Sequence, residues 1–293
     1  MKRRTNIQLG TRLLVILFLM GVGLITAYVI SKLLFMFKGG LLTMLTLQDV
    51  MAFIVPGLVA MLIFYYRPLH VMGLDRAPSW SALIIIILFY LISLPAMNWL
   101  VSVNQAMTLP SWMSGMEQWM KATEDSAAET TQSILNIHTV PSLLMTVFVV
   151  GFMAGLSEEI LFRGAIQRTC EDSRLNTHAV VWIVAIVFSA FHLQFYGFVP
   201  RMLLGVWLGY LLVWTRSLWV PIIAHTLNNS TVVVMSYLAN KGVVAEDFGD
   251  HLGLPADGDF PWLAMASVVL SVALAVWAHH QYKPADKSHQ QYI

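Results

Sequence analysis

Residues 142–163 read Ser-Leu-Leu-Met-Thr-Val-Phe-Val-Val-Gly-Phe-Met-Ala-Gly-Leu-Ser-Glu-Glu-Ile-Leu-Phe-Arg. No charged side chain interrupts the run before Glu158, and about 20 apolar residues in a helix cross the ~30 Å hydrocarbon layer of a bilayer. The stretch therefore reads as a membrane span. Its end is unlike an ordinary span, because Glu158, Glu159 and Arg163 fall where ionisable groups are costly, and such groups mark function by default.

Apolar runs of similar length recur at 13–37, 50–66, 80–101, 178–193, 199–215, 218–238 and 261–279. The composition agrees: 58% of the 293 residues are hydrophobic and 11% are charged, against about 25% charged in a soluble domain. That balance excludes soluble, disordered and coiled-coil readings. Backbone groups in lipid must satisfy one another and the runs are too long for barrel strands, so each is read as a helix. The expected fold is all-α, a polytopic transmembrane helical bundle of about eight spans. Three parts are expected: 1–141 with the N-terminal transmembrane helices and an outer amphipathic loop, 142–240 as a core, and 241–293 with an outer loop, the last span and a tail. The opening Met1-Lys2-Arg3-Arg4 with its apolar run is kept as the first span, because the run is long and no small-residue cleavage pattern closes it.

The basic residues orient the bundle. With the start inside, most of the 17 Lys and Arg fall on the cytoplasmic side: Lys2, Arg3, Arg4, Arg12, Arg67, Arg76, Arg163, Arg168, Arg174, Arg216, Lys283 and Lys287, with Lys32, Lys38, Lys121, Arg201 and Lys241 left over. The outer loops 102–141 and 239–260 carry acids instead, among them Glu117, Glu124, Asp125 and Glu129, then Glu246, Asp247, Asp250, Asp257 and Asp259. This is the positive-inside pattern, and both termini are expected in the cytoplasm. Loop 102–141, with Trp112, Trp119, Met113, Met116 and Met120, reads either as an amphipathic helix on the membrane surface or as an ordinary structured loop. A net charge of +1 gives no ground for a nucleic-acid partner, and the single cysteine, Cys170, excludes an internal disulfide or CxxC metal site.

Three polar clusters lie between 157 and 229. In Ser157-Glu158-Glu159-Ile160-Leu161-Phe162-Arg163, Glu159 and Arg163 share a helix face and can pair, while Glu158 is turned by about 100° toward another neighbour. Two adjacent carboxylates in a low dielectric do not both ionise cheaply, a setting that suits general acid/base chemistry. His192 closes Phe188-Ser189-Ala190-Phe191-His192, where it is either an interfacial residue or part of a site. His225 and Asn229 are four apart on one helix face; they can donate to a developing oxyanion or act as hydrogen-bonding glue between helices.

In order and spacing these motifs resemble those of the CPBP family of intramembrane endopeptidases, named for CAAX proteases and bacteriocin-processing proteins. The family's EExxxR, FxxxH and HxxxN appear as Glu158-Glu159-x-x-x-Arg163, Phe188-x-x-x-His192 and His225-x-x-x-Asn229. The resemblance covers roughly 142–235. It implies that Glu158 with His192 activates a water against the scissile carbonyl, that His225 and Asn229 hold the oxyanion, and that Glu159 and Arg163 support them. It further implies a cavity open to the cytoplasm and a peptide or membrane-protein tail as substrate. The expected setting is a bacterial inner membrane, where prenylated CAAX substrates are not expected. No cofactor is expected: Zn²⁺ on Glu158, His192 and His225 is the alternative, but HExxH is absent, and Arg163 and Asn229 fit a metal-free site better.

Other intramembrane protease classes fail on sequence. There is no HExxH, Gly155-Leu156-Ser157-Glu158 lacks the last glycine of GxSG, and Ala256-Asp257-Gly258-Asp259 lacks the first glycine of GxGD and sits in a loop. The rival from another class is a non-hydrolytic membrane protein: a bacteriocin-immunity factor, a scaffold, or a proton-coupled transporter using the carboxylates as a relay. The chain has no internal repeat of the paired-half transporter kind. Oligomeric state is open.

Overall fold

In the computed structural model, residues 2–36, 40–245, 249, 251–255 and 259–282 are described. Lys38, Glu246, Asp247, Asp250, Asp257, Lys283 and Lys287 lie outside them. Among the described residues the regular structure is helical: α1 (Leu9–Met36), α2 (Leu41–Phe64), α3 (Pro68–Met72), α4 (Trp80–Gln105), α5 (Ser114–Leu135), α6 (Val140–Glu171), α7 (Thr177–Phe191), α8 (Phe198–Thr215), α9 (Trp219–Asn240) and α10 (Trp262–Gln281).

Six helices are long and apolar enough to cross a bilayer: α1, α2, α4, α6, α8 (counted with the turn from Phe195) and α10. Only 17–39% of the residues in each spanning window are buried inside the protein. Apolar side chains such as Leu14, Phe18 and Ile25 on α1, or Val269 and Val272 on α10, face outward, which is the arrangement hydrocarbon solvent favours. Two of the expected eight spans differ. The run at 178–193 forms α7, of 15 residues, about 22 Å at 1.5 Å per residue and too short to cross alone. The run at 218–238 forms the full-length α9, whose His225, Asn228 and Asn229 lower its hydropathy below that of the six. Conversely α6, with 32 residues, is about 48 Å long, so its last turns continue past the hydrocarbon.

Two close approaches assemble the motif-bearing helices. Gly151 and Gly155, four apart on α6, face α9: a Cβ on Gly155 would stand 3.1 Å from the Thr226 nitrogen, and one on Gly151 would meet the Ser230 hydroxyl. Small residues at this spacing let two helix backbones approach in a membrane, and here they bring α9's His225 beside α6's carboxylates. Gly205 and Gly209 do the same for the α7–α8 hairpin, packing on Ala185 and Val181. Stretches Asp49–Ile54, Val147–Met153 and Ile160–Gln167 are π-helical; such turns gather at functional sites, and these three bracket the carboxylates.

The bundle has two unlike ends. At one, Arg3 bridges to Tyr65, and the Tyr282 hydroxyl at the end of α10 contacts Ser81 at 2.7 Å. Lys2, Arg67, Arg76, Arg168 and Arg216 gather there. A buried apolar cluster of Met61, Phe64, Met72, Leu161, Phe162, Ala165 and Leu218 fills this half of the interior. Arg12, assigned to the cytoplasmic side, is buried at this end, donating to Tyr65 Oη at 2.9 Å and Asp172 Oδ2 at 3.1 Å, with Arg3 pairing to the same carboxylate. At the other end lies α5, a single amphipathic helix, so the helical reading of loop 102–141 holds over these residues.

Candidate active site

Glu159 is fully buried. Its Oε1 accepts from Arg163 Nη1 at 2.7 Å and from His225 Nδ1 at 3.0 Å. Arg163, also fully buried, donates through Nη2 to the Gly205 carbonyl at 3.0 Å, and its guanidinium lies 4.5 Å over the Phe188 ring. A buried charge is tolerated only when paired and hydrogen-bonded. Glu159, Arg163 and His225 therefore form one unit tying α6, α8 and α9 together.

Glu158 points elsewhere, as the one-residue rotation predicts. Its Oε1 is 3.9 Å from His192 Nε2 and its Oε2 is 3.7 Å from His225 Nε2; Oε2 is buried without a hydrogen-bond partner. These separations are too long for direct hydrogen bonds and suit a water touching both groups. The imidazole protons follow from the second nitrogen of each ring. His192 Nδ1 lies 2.9 Å from the Phe188 carbonyl, which only accepts, so a neutral His192 carries its proton on Nδ1 and turns the Nε2 lone pair toward Glu158. His225 Nδ1 faces Glu159 in the same way. Phe188, the aromatic position of the second motif, sits with ring centroids 5.0 Å from His192 and 5.9 Å from His225. It fixes both rings and the guanidinium from one side.

Asn229 stands one turn beyond His225. Its Nδ2 donates to the Val150 carbonyl at 3.2 Å and its Oδ1 accepts from Asn228 at 3.1 Å, leaving one Nδ2 proton to direct elsewhere. Glu158, Glu159, Arg163, His192 and His225 are thus in one cluster, and Asn229 is on its edge. As a metal set, Glu158, His192 and His225 are wide: Zn²⁺ at its usual bond lengths would hold donor atoms about 3.4 Å apart. Among the described residues no group of three His, Cys, Asp or Glu has metal-holding spacing.

A cleft of about 370 Å³ reaches this cluster, with Glu158, His192 and Asp49 as its ionisable walls and Leu45, Gln48, Phe53, Ile134, Val149, Val150, Ala154 and Phe191 completing it. Leu45 lies only about 6 Å along α2 from its Leu41 end, and Ile134 belongs to α5. The cleft runs from Glu158 toward the α5 end.

Asp49 is the residue the sequence reading missed. It accepts from Ser157 Oγ at 3.1 Å and shares the cleft with Glu158, yet the apolar run that begins at 50 leaves it just outside. The signal was present in Leu41–Leu47, which continues the run on the other side of Gln48-Asp49. The turn after His192 is also held in ways no motif marks. Leu193 adopts a left-handed φ of 54°, costly for a branched residue. Asn104, buried on α4, donates to the Phe195 carbonyl at 3.2 Å and accepts from the Val199 N–H at 2.9 Å. Arg201 donates to Gln194 Oε1 at 2.5 Å. Helix α5 roofs this turn: Trp119 packs on Phe195 at 5.2 Å, and Glu124 accepts from the Tyr196 N–H at 3.4 Å.

Residues 140–231 match the family described as Type II CAAX prenyl endopeptidase Rce1-like. The matched region is the one that holds the site. The match spans all three motifs and stops two residues after Asn229. A Bacillus subtilis protein named "Putative membrane peptidase YdiL" is 24% identical over 182 residues, covering 57% of this chain and 73% of its own. Another from the same organism, "Uncharacterized protein YpbD", is 26% identical over 98 residues, covering 32% of this chain and 45% of its own. No solved structure matches. The Rce1-like match and the peptidase name of the first relative are thus similarities to membrane peptidases, and the apolar spanning helices make the chain an integral membrane protein.

Proposed function

We propose that the chain is an intramembrane endopeptidase that hydrolyses a peptide bond with a water held between Glu158 and the two imidazoles. The observation that carries this is the pair of gaps at 3.9 and 3.7 Å, on either side of a carboxylate, facing two nitrogens whose other ring positions are fixed. Glu158 takes the proton as the water's oxygen attacks the carbonyl carbon. His192, through Nε2, shares that proton and passes it to the leaving amine. The tetrahedral oxyanion lies toward His225 Nε2, which donates once protonated, and the free Nδ2 proton of Asn229. Glu159 and Arg163 hold His225 in place without touching the substrate. The reaction needs no metal in this scheme.

The substrate is a peptide or membrane-protein segment entering from the α5 end, because the cleft's apolar walls lie there. If the Lys and Arg distribution sets the orientation as the positive-inside rule expects, that end faces away from the cytoplasm, in a bacterial inner membrane. The deciding experiment uses purified protein and a quenched peptide library. Glu158→Gln and His192→Ala are expected to lower turnover by about 10²–10⁴ while wild-type cleavage survives 1,10-phenanthroline. Variants that cleave at the wild-type rate refute the assignment, and loss of activity with the chelator refutes its metal-free form.

A further inference from the structure

We infer that the basic end of the bundle carries a binding site for a phospholipid with an anionic headgroup. A cavity of about 780 Å³ there is lined by Lys2, Arg67, His70, Arg76, Arg168 and Arg216. The cations arrive from five separate places in the chain: the segment before α1, the residue before α3, the loop before α4, the last turn of α6 and the residue after α8. Arg67, Arg76, Arg168 and Arg216 lie within four residues of a helix end and Lys2 Nζ stands 5.5 Å over the Tyr66 ring, so all sit at the headgroup level of one leaflet. Counter-charge inside the cluster is limited to Glu171 on Arg168, at 2.9 Å, and Asp75 on His70, at 2.7 Å. Arg67, Arg76 and Arg216 have no ion-pair partner among the described residues. Three free guanidinium groups facing one cavity match a phosphodiester, which accepts their paired N–H donors.

The neighbouring surface identifies the rest of the ligand. An apolar groove of about 470 Å³ shares Arg67 and His70 with the cavity and continues along Leu58, Leu62 and Leu69; Leu62 and Leu69 are 49% and 53% exposed. A free phosphate would fill only the first compartment. A lipid fills both, with its phosphate among the arginines and an acyl chain along α2. Basic pockets between membrane helices on one leaflet side recognise anionic headgroups in this way. The site is remote from Glu158 and does not depend on the peptidase reading.

The test is native mass spectrometry of the full-length protein with palmitoyl-oleoyl phosphatidylglycerol, phosphatidylcholine of the same chains, dihexanoyl phosphatidylglycerol and inorganic phosphate as separate probes. Long-chain phosphatidylglycerol is expected to be retained over phosphatidylcholine and over its short-chain form, each by at least tenfold. Arg67→Gln with Arg216→Gln is expected to weaken it about 30-fold, at roughly fivefold per cation near the surface, while Lys121→Gln at the other end changes nothing. Equal retention of phosphatidylcholine overturns the inference, as does wild-type binding by the double variant. Displacement of the lipid by an equal concentration of inorganic phosphate assigns the cavity to a free anion and likewise overturns it. The comparison of headgroups on the wild-type protein stands even if the double variant fails to fold.

Discussion

Arg163→Met, Glu159→Gln and the two combined form a double-mutant cycle on the fully buried pair. At about 4 Å between charge centres, the pair's attraction is roughly 4 kcal/mol at an effective dielectric of 20, set against a desolvation penalty of several kcal/mol per ion. Removing one partner leaves the other's penalty uncompensated, at a cost of about 3–5 kcal/mol. Arg163→Met strands Glu159 with only His225 as donor; Glu159→Gln strands the guanidinium with only the Gly205 carbonyl and the Phe188 face. The double variant strands neither charge, so its loss is expected to be about 1–2 kcal/mol, well below the sum. Thermal unfolding followed by the fluorescence of the ten tryptophans reads this directly: each single variant should lose roughly 10 °C, and the double should recover most of it. Glu158→Gln in the same assay should change little, because Glu158 makes no hydrogen bond of its own to the fold. A double variant as destabilised as the two singles summed refutes the division into a supporting and a reacting carboxylate.

Three further outcomes follow from the same geometry. Gly155→Val drives a side chain against the Thr226 backbone at a 3.1 Å approach, so α6 and α9 separate, and turnover is expected to fall at least 100-fold with His225 displaced; wild-type activity in a peptide assay would contradict that. Asp49 and Glu158 line the same cleft, and each ionised carboxylate repels an acidic substrate side chain by about 2 kcal/mol at ~8 Å and an effective dielectric of 20, so library peptides with Asp beside the cut should react at least about 30-fold more slowly than their Asn counterparts, and Asp49→Asn should narrow that ratio; an unchanged ratio argues that Asp49 does not face the substrate. Asp172 is partly buried, which alone would raise its pKa, but hydrogen bonds from Arg3, Tyr65 and Arg12 hold it below its ordinary 3.8. The folded state therefore binds this proton less readily than the unfolded state, and the resulting stability is complete above about pH 4 and lost as pH falls through the lowered folded value. Asp172→Asn should flatten the stability change between pH 4 and pH 2; a profile as steep as wild type refutes it.

The helical membrane fold was legible because hydrocarbon filters side chains so strongly: eight apolar runs predicted the helices, and the Glu158, His192 and His225 motifs predicted which would converge. What was hidden depends on tertiary contact. Asp49 was cut off by a run boundary, although its partner Ser157 lies one residue from Glu158. The lining of the cleft could not be read from Glu158's position in its span, because Leu45 and Ile134 reach it from α2 and α5. Arg12 was one more basic residue of the cytoplasmic side, since nothing local announces that Asp172 and Tyr65, far away in sequence, would enclose it. The glycine pair Gly151 and Gly155 was visible as letters, but its meaning waits on the face that α9 presents.

The short α7 ends about 22 Å from its start, and residues 192–194 leave helical geometry at a depth where lipid would normally surround them. Irregular backbone survives at that depth only when protein covers it or water reaches it. Here the Asn104 side chain and the roof of α5 do the covering, and the cleft beside His192 is the side left open. Peptide hydrolysis consumes one water per bond, and water is scarce in hydrocarbon. The early stop of α7 thus makes hydration local: a helix that ends too soon carries a polar notch into the membrane, and in the proposed hydrolysis α5, which roofs the neighbouring turn, would govern water's access to it.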